Sequence, residues 1–130
     1  AAAVLDYVPA ERVDEKIASG KDSLTIEMKP TKKIIEEARK KRKSLFIVGF
    51  KVESGVSEKE LEKRARSNIE SGICDLVVAN DEMKEGVAFQ ADTNEVLIVG
   101  PKDLKVHLPM AQKIEIARQL VDIIVDQMKT

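Results

Sequence analysis

The chain has 130 residues, of which 43% are hydrophobic and 35% charged, and its formal net charge is −1. These values predict one globular domain with a hydrophobic core, and they argue against a disordered chain and against partners such as nucleic acid or a membrane surface. Cys74 is the single cysteine, which excludes an intrachain disulfide and a cysteine-based metal cluster. The sequence contains no signal peptide and no apolar run of transmembrane length, so we expect a cytoplasmic protein.

A small apolar segment, residues 1–4, predicts the end of a buried strand. Asp6 places a carboxylate just past this strand, Pro9 prevents regular pairing because it has no backbone N–H, and Lys16 follows on a charged segment. A carboxylate and a lysine on an irregular loop suit a phosphorylated ligand and its metal ion. The commoner alternative for such residues is that both side chains are simply solvated.

A second strand and a first helix are predicted next. Residues 24–28 alternate apolar and polar side chains, which is typical of a half-buried strand. Pro30 ends that strand, and Thr31 can cap a helix over residues 32–43. The inner face of this helix is predicted to hold Ile34, Ile35 and Ala38.

Two buried strands are predicted in the middle of the chain, with a helix between them. Residues 45–50 are apolar throughout, as in a parallel strand that is covered on both faces. Ser57 and Glu60 form a capping box that starts the helix, and Gly72 ends it. Residues 74–79 predict the second buried strand.

The last third of the chain predicts a hairpin and a helix. After a loop over residues 82–94, the turn at residues 100–103 joins two short strands, 95–99 and 104–108. The final helix is predicted over residues 110–128. Its predicted buried face consists of Ile114, Ala117, Val121, Ile124 and Met128.

This order of buried strands and amphipathic helices predicts an α/β protein. We expect a Rossmann-like three-layer fold with a mostly parallel sheet and a late antiparallel β-hairpin. Ligands of open α/β sheets bind beyond the carboxyl ends of the strands. Asp6, Phe50 and Asn80 lie at such ends, so we expect the ligand site there.

The sequence offers little covalent chemistry. His107 is the only histidine and lies mid-strand, which favours a structural or surface role and argues against histidine-based catalysis or metal binding. Neither standard phosphate-binding loop is present. The start of the helix at Lys32 and Lys33 is a candidate phosphate site, because free N–H groups and the helix dipole attract anions. An ordinary exposed first turn explains those lysines equally well.

The order of several segments resembles a known family, the phosphopantothenoylcysteine synthetase domain, the CTP-dependent ligase of coenzyme A biosynthesis. The segments that carry the resemblance are AAAVLDYVP, EKI, LTIEM, FIVGF and DLVVAND. The family reaction has two steps. The carboxylate of 4′-phosphopantothenate attacks the α-phosphate of CTP and releases pyrophosphate, and the acyl-cytidylate then reacts with the amine of cysteine and releases CMP.

The resemblance implies roles for particular residues. Asp6 should contact the nucleotide or its metal, Lys16 should face the triphosphate as the catalytic cation, and Phe50 should lie against the base or the ribose. The other implied nucleotide contacts are Ala1, Ala2, Thr31, Lys32, Lys33 and Ile34. Further family lysines are absent, and Lys21 and either Arg64 or Arg66 are the candidates to replace them.

The resemblance also implies partners. The substrates would be 4′-phosphopantothenate and cysteine, with CTP as co-substrate, Mg²⁺ as cofactor and a homodimer as the assembly. The family's N-terminal strand–helix segment is missing, so we expect residues 1–130 to be the C-terminal portion of a larger ligase domain and to be incompetent alone. FMN is expected only if a flavin-dependent decarboxylase is fused upstream.

Two other functions remain open from the residues themselves. The chain could be a non-catalytic, Rossmann-like nucleotide-binding module, in which Lys16 contributes only modest affinity. It could also be an inactive fragment, for which a broad and uncooperative thermal melt is expected.

Overall fold

A computed structural model describes residues 4–20, 22–87 and 91–129. The candidate contacts Ala1 and Ala2, most of the predicted first strand, and Lys21 lie outside these described residues. None of the described helices is long and apolar enough to cross a membrane. The elements are β1 (Tyr7–Pro9), β2 (Met28–Pro30), α1 (Ile34–Lys41), β3 (Val48–Glu53), α2 (Glu58–Glu70), β4 (Leu76–Asp81), β5 (Thr93–Val99), β6 (Lys105–Gln112) and α3 (Lys113–Met128).

The main sheet has four strands in the order β3-β4-β5-β6. β3 and β4 are parallel, with Phe50 opposite Val78, whereas β4–β5 and β5–β6 are antiparallel. The α/β class and the late hairpin are therefore confirmed. The parallel part is smaller than predicted. A parallel neighbour needs a long crossover connection, which is usually a helix, and no helix is described between β4 and β5.

The sheet is the middle one of three layers, and a buried cluster lies on each of its two faces. On one face of the sheet, Leu61 and Ala65 of α2 pack with Val77, Ala79 and other sheet residues, and Ile35 of α1 packs against this cluster. On the other face, α3 packs through Ile116 and Leu120 onto a second cluster, formed with Leu76, Val78, Val96, Ile98 and Leu108. The predicted three-layer arrangement is confirmed.

The residues predicted to start and to end α2, Ser57 and Gly72, are confirmed. The Ser57 hydroxyl accepts a hydrogen bond from the Glu60 amide at 3.3 Å, and Gly72 adopts φ of 72° just after the helix. Glycine tolerates this left-handed conformation because it has no Cβ. The Glu60 carboxylate accepts from Arg64 at 2.9 Å, so the reciprocal half of the capping box is replaced by an ion pair.

The predicted half-buried strand over residues 24–28 is wrong. Leu24 and Ile26 are exposed, and extended pairing is limited to Met28–Pro30 against Tyr7–Pro9. No described helix or sheet covers residues 24–27, so the alternating pattern has no layer to pack against. Strands β3 and β4 also begin two or three residues later than their apolar runs, because apolar character does not mark where backbone pairing starts.

The start of α1 also differs from the prediction. The Thr31 hydroxyl donates to the Leu5 carbonyl at 2.5 Å, across the β1–β2 pair, instead of capping the helix. Lys33 occupies the N-cap position without a side-chain cap, and Ile34 is exposed. The hydroxyl therefore ties the segment before α1 to Leu5, next to Asp6 and just before β1.

The predicted buried face of α3 is largely wrong. Ile116 and Leu120 are buried, whereas Ile114, Val121 and Met128 are exposed. The predicted face and the observed face are neighbouring parts of one wide apolar surface, and periodicity alone cannot tell which part meets the sheet. The helix begins at Lys113 because β6 continues through Gln112.

Candidate functional site

Asp6, Thr31 and Lys33 form a cluster where β1, β2 and α1 meet. The Thr31 amide donates to the Asp6 carbonyl at 2.8 Å, and the Lys33 ammonium donates to the Asp6 carboxylate. The Ala10 amide donates to the Glu27 carbonyl at 2.8 Å and closes the other end of the strand pair. The structure thus brings together three of the candidate residues, and they come from two distant parts of the sequence.

The cluster places a carboxylate and an ammonium group at the N-terminus of α1, which has no side-chain cap. Hydrogen bonding to Asp6 and the charge of its carboxylate raise the pKa of Lys33. Both side chains are more than half exposed, so the pair adds little to stability. The first bond of α1 runs from the Glu37 amide to the Lys33 carbonyl at 3.1 Å, which leaves the preceding amides outside the helical ladder. With Lys32 exposed beside them, these groups can attract an anion.

In the described part of the chain, the side chains of Lys16 and Phe50 form no hydrogen bond or ion pair with this cluster. Lys16 is exposed on the irregular segment between β1 and β2. Phe50 lies on β3, and its ring is exposed. Both side chains are available to a ligand, and their contribution to one common site stays a prediction.

Arg64 and Arg66, the candidates to replace family lysines, are engaged within the protein. Arg64 pairs with Glu60 at 2.9 Å and with Glu53 at 2.5 Å. Arg66 pairs with Glu62 at 2.9 Å, and its guanidinium lies 3.5 Å from the Gly100 carbonyl. A phosphate would have to displace these contacts, so neither arginine is preorganised for one.

Comparison with known proteins places the chain in a family. The model of the family described as "DNA/pantothenate metabolism flavoprotein C-terminal domain" matches residues 1–128. The chain belongs to this family. The resemblance found in the sequence is thereby confirmed, since the similar proteins of this family are named for coenzyme A biosynthesis.

Two curated relatives share this family region. The chain is 44% identical over 122 residues to the coenzyme A biosynthesis bifunctional protein CoaBC of Thermococcus kodakarensis. The aligned region covers 94% of this chain and 29% of the relative. It is 33% identical over 120 residues to the protein of the same name from Bacillus subtilis, and the aligned region covers 92% of this chain and 29% of that relative. The chain therefore spans less than a third of the length of these relatives.

Solved structures of the family are similar in fold. The DNA/pantothenate metabolism flavoprotein from Streptococcus pneumoniae matches with a TM-score of 0.68 and 28% identity, over 85% of this chain and 45% of that one. A structure of the C-terminal domain of CoaBC matches with a TM-score of 0.64 over 79% of this chain and 48% of that one. At 23% identity, the second match shows the fold alone.

Asp81 is a residue of this family domain whose role the sequence did not reveal. It ends β4, is buried, and its carboxylate accepts hydrogen bonds from the amides of Gly55 at 2.8 Å, Met83 at 3.0 Å and Val56 at 3.1 Å. The sequence showed only polar residues at a carboxyl strand end. Asp81 therefore fixes the loop between β3 and α2 at the predicted ligand edge.

Replacing Asp81 by Asn is expected to change how stability depends on pH. The amides of Met83, Gly55 and Val56 lower the pKa of Asp81 below its ordinary value. Its stabilising contribution is therefore complete above the unfolded-state pKa and is lost as the pH falls through the lower folded-state pKa. Thermal melts of Asp81→Asn should show a lower midpoint at neutral pH and a smaller loss of stability as the pH falls below the unfolded-state pKa of an aspartate.

The matched control for that variant is Asp122→Asn, on an exposed position of α3. We expect this control to follow the unmodified protein at every pH. If the thermal midpoint of Asp81→Asn depended on pH as that of the unmodified protein does, the three hydrogen bonds from backbone amides to Asp81 would not contribute to stability.

The predicted structural or surface role of His107 is confirmed. The Nε2 atom of His107 lies 2.8 Å from a Glu95 carboxylate oxygen, which also accepts from Lys84 at 2.7 Å, so the histidine is a half-exposed member of a surface cluster. Cys74 is buried, and burial raises the pKa of its thiol. In the described residues, no group of three or more His, Cys, Asp or Glu side chains could hold a metal ion.

Proposed function

We propose that the chain is part of a phosphopantothenate–cysteine ligase that uses CTP. The observation that carries this proposal is the cluster of Asp6, Thr31 and Lys33 at the open start of α1. It combines a carboxylate, a cation and helix-end amides within one surface. The cation and the amides suit the phosphates of a nucleoside triphosphate, and the carboxylate suits its metal ion. Family membership supports the same reaction class, because relatives carry the name of coenzyme A biosynthesis proteins.

The proposed chemistry needs positioning and charge more than covalent catalysis. Acyl-cytidylate formation places negative charge on the phosphates, which cations and fixed dipoles stabilise. Lys16, Lys32 and Lys33, with the first amides of α1, would face the phosphates, and Phe50 would contact the base or the ribose. Thr31 and Ile34 would line the nucleotide, as would Ala1 and Ala2.

Mg²⁺ fits the proposed site through one carboxylate. Magnesium bound to nucleotides is usually held by one or two carboxylates together with phosphate oxygens and water. Asp6 is the carboxylate of the cluster, and a bound metal would supply charge stabilisation at the phosphates. Lys33 now pairs with Asp6, so ligand binding would exchange this pair for contacts of each side chain with the nucleotide and its metal.

The proposed ligase extends beyond this chain. We propose that residues 1–130 are the C-terminal portion of a ligase domain that is completed by an N-terminal strand–helix segment, and that the isolated chain does not turn over. Its substrates would be 4′-phosphopantothenate and cysteine, and the domain would be a cytoplasmic homodimer. FMN would belong only to a fused decarboxylase.

Calorimetric titration with CTP and with ATP, each with Mg²⁺, tests the nucleotide assignment. We expect CTP to bind and ATP to bind weakly or not at all, because the proposed base contact lies on this chain. A matched titration of the Asp6→Ala variant should show reduced CTP binding. Equal binding of both nucleotides would contradict the assignment of base selectivity to residues 1–130, and an unaffected variant would contradict the placement of the site.

A further inference from the structure

A cavity of about 530 Å³ lies at the end of the sheet opposite the predicted ligand edge. Asp75, just before β4, and Pro101, just after β5, line this cavity, whereas Asp81 stands at the other end of β4. β4 has six residues, so the two ends of the sheet are roughly 20 Å apart. The other lining residues come from the ends of α1 and α2 and the start of β4: Arg39, Lys40, Lys43, Ile69, Gly72 and Cys74.

The mouth of this cavity is strongly cationic. Residues 39–43 are five consecutive lysines and arginines in a chain whose formal net charge is −1. Lys40 pairs with Glu37 at 3.0 Å on the exposed side of α1. The Lys43 side chain is exposed, and its ammonium has no hydrogen-bond or ion-pair partner among the described residues. Positive charge is therefore left uncompensated at Lys43.

Arg39 removes the main obstacle to an anion in this position. The C-terminal end of a helix carries partial negative charge on its free carbonyl groups, which by itself disfavours an anion. The Arg39 guanidinium donates to three backbone carbonyls at this end of the sheet, those of Leu45 at 2.7 Å, Lys43 at 2.8 Å and Ile73 at 3.2 Å. It also pairs with Asp75 at 2.5 Å. Arg39 thus neutralises these acceptors and leaves the two lysines available.

The cavity has apolar walls that continue into a second cavity. Ile69 and Pro101 line the first one, and Pro101 also lines a neighbouring cavity of about 480 Å³ with Phe46 and Leu104. Sites for small molecules usually have volumes of about 300–1,000 Å³, mostly apolar walls and a few polar groups that fix the ligand. The two cavities therefore combine a cationic end at Lys43 with an apolar path past Pro101.

We propose that these cavities are a second ligand site, which binds a phosphate monoester with an apolar body. The Lys43 ammonium donates to the phosphate, and Lys40 adds a second cation three residues away. A phosphate monoester suits two cations better than a carboxylate does, because it carries up to two negative charges and three acceptor oxygens. The apolar body lies along Ile69 and Pro101. None of these residues is a proposed nucleotide contact, so this inference does not depend on the proposed function.

Amide NMR spectroscopy locates binding without requiring catalysis. The chain of 130 residues is titrated with phenyl phosphate, with inorganic phosphate, which supplies the charge alone, and with phenol, which supplies the apolar body alone. We expect the amide signals of Gly72, Cys74 and Asp75 to shift and to saturate with phenyl phosphate. Half saturation should come at a lower concentration than with either of the other two probes, because only phenyl phosphate uses both the lysines and the apolar walls.

Lys43→Ala should raise the dissociation constant for phenyl phosphate about tenfold, because it removes a charged hydrogen-bond donor. The matched control is Lys41→Ala, since Lys41 is an exposed lysine at the end of the same helix that does not line the cavity. This control should change the dissociation constant by less than about twofold, as expected for a charge without direct contact.

Equal weakening by the two substitutions would overturn the proposal, because the probe would then respond to the general charge of residues 39–43. Equal affinity for inorganic phosphate and phenyl phosphate would also overturn it, since the apolar walls would then contribute nothing. Shifts confined to residues 31–33 would place the phosphate at the candidate functional site alone, against this proposal and in agreement with the proposed function. Saturating shifts at Gly72, Cys74 and Asp75 in a chain that does not bind CTP would support the second site and contradict the nucleotide assignment.

Discussion

If the proposed ligase reaction holds, Lys16→Ala should reduce turnover by the longer polypeptide that carries the whole ligase domain by a factor of roughly 10²–10³, the usual effect of removing one group that stabilises transition-state charge. The residue is exposed and forms no hydrogen bond or ion pair in the described part of the chain. The variant should therefore fold normally, with an unchanged thermal midpoint. The measurement is the steady-state rate of CMP release with CTP, 4′-phosphopantothenate and cysteine.

Lys59→Ala is the matched control for that assay, because Lys59 is also an exposed lysine, lies on α2 and is not one of the candidate contacts. It should retain full turnover. A Lys16→Ala variant with normal turnover would remove this residue from the catalytic machinery. A longer polypeptide that binds CTP without any turnover, and whose affinity falls only modestly on this substitution, would instead establish the non-catalytic nucleotide-binding module.

Features of the fold were predictable from the sequence where one residue determines the local geometry. Ser57 and Gly72 act at the ends of α2 as their chemistry predicts, and the apolar runs that lead into β3 and β4 mark strands that pair in parallel. These features depend on the chain near each residue. They could be recognised without knowing what packs against them.

Burial that depends on a distant partner could not be predicted from the periodicity of the sequence. Residues 24–28 alternate as a half-buried strand should, but no described element covers them, and the apolar residues of α3 span two surfaces of which the sheet covers one. Periodicity shows which side chains share a face. It does not show which layer, if any, that face meets.

The candidate site was predictable in part for the same reason. Asp6 and Lys33 were each identified as candidate contacts from the sequence, and the structure joins them directly in an ion pair. The Thr31 hydroxyl was expected to cap α1, but it donates to the Leu5 carbonyl instead. The role of Asp81 could not be predicted, because its partners are backbone amides that no residue type identifies. Contacts to the backbone become visible only when the fold is known.

Leu76→Ala should lower the free energy of unfolding of residues 1–130 by about 2–5 kcal/mol, as expected for a leucine removed from a well-packed core. Leu76 has 0% exposure and lies in the cluster between the sheet and α3. Its Cδ2 atom lies 2.7 Å from where a Cβ on Gly100 would stand, so the hairpin turn is packed directly against it. Urea denaturation measures the loss, from the midpoint and the slope of the transition.

Leu24→Ala is the matched control, because the substitution is identical and Leu24 is 53% exposed. Its effect should stay within about 0.5 kcal/mol, as for other surface substitutions. Similar losses for the two variants would mean that residues 24–28 pack as the half-buried strand that their alternation predicts. A large difference between the variants would show that the core of this chain is built by the four-stranded sheet and the helices on its two faces, and that the segment between β1 and β2 adds little to it.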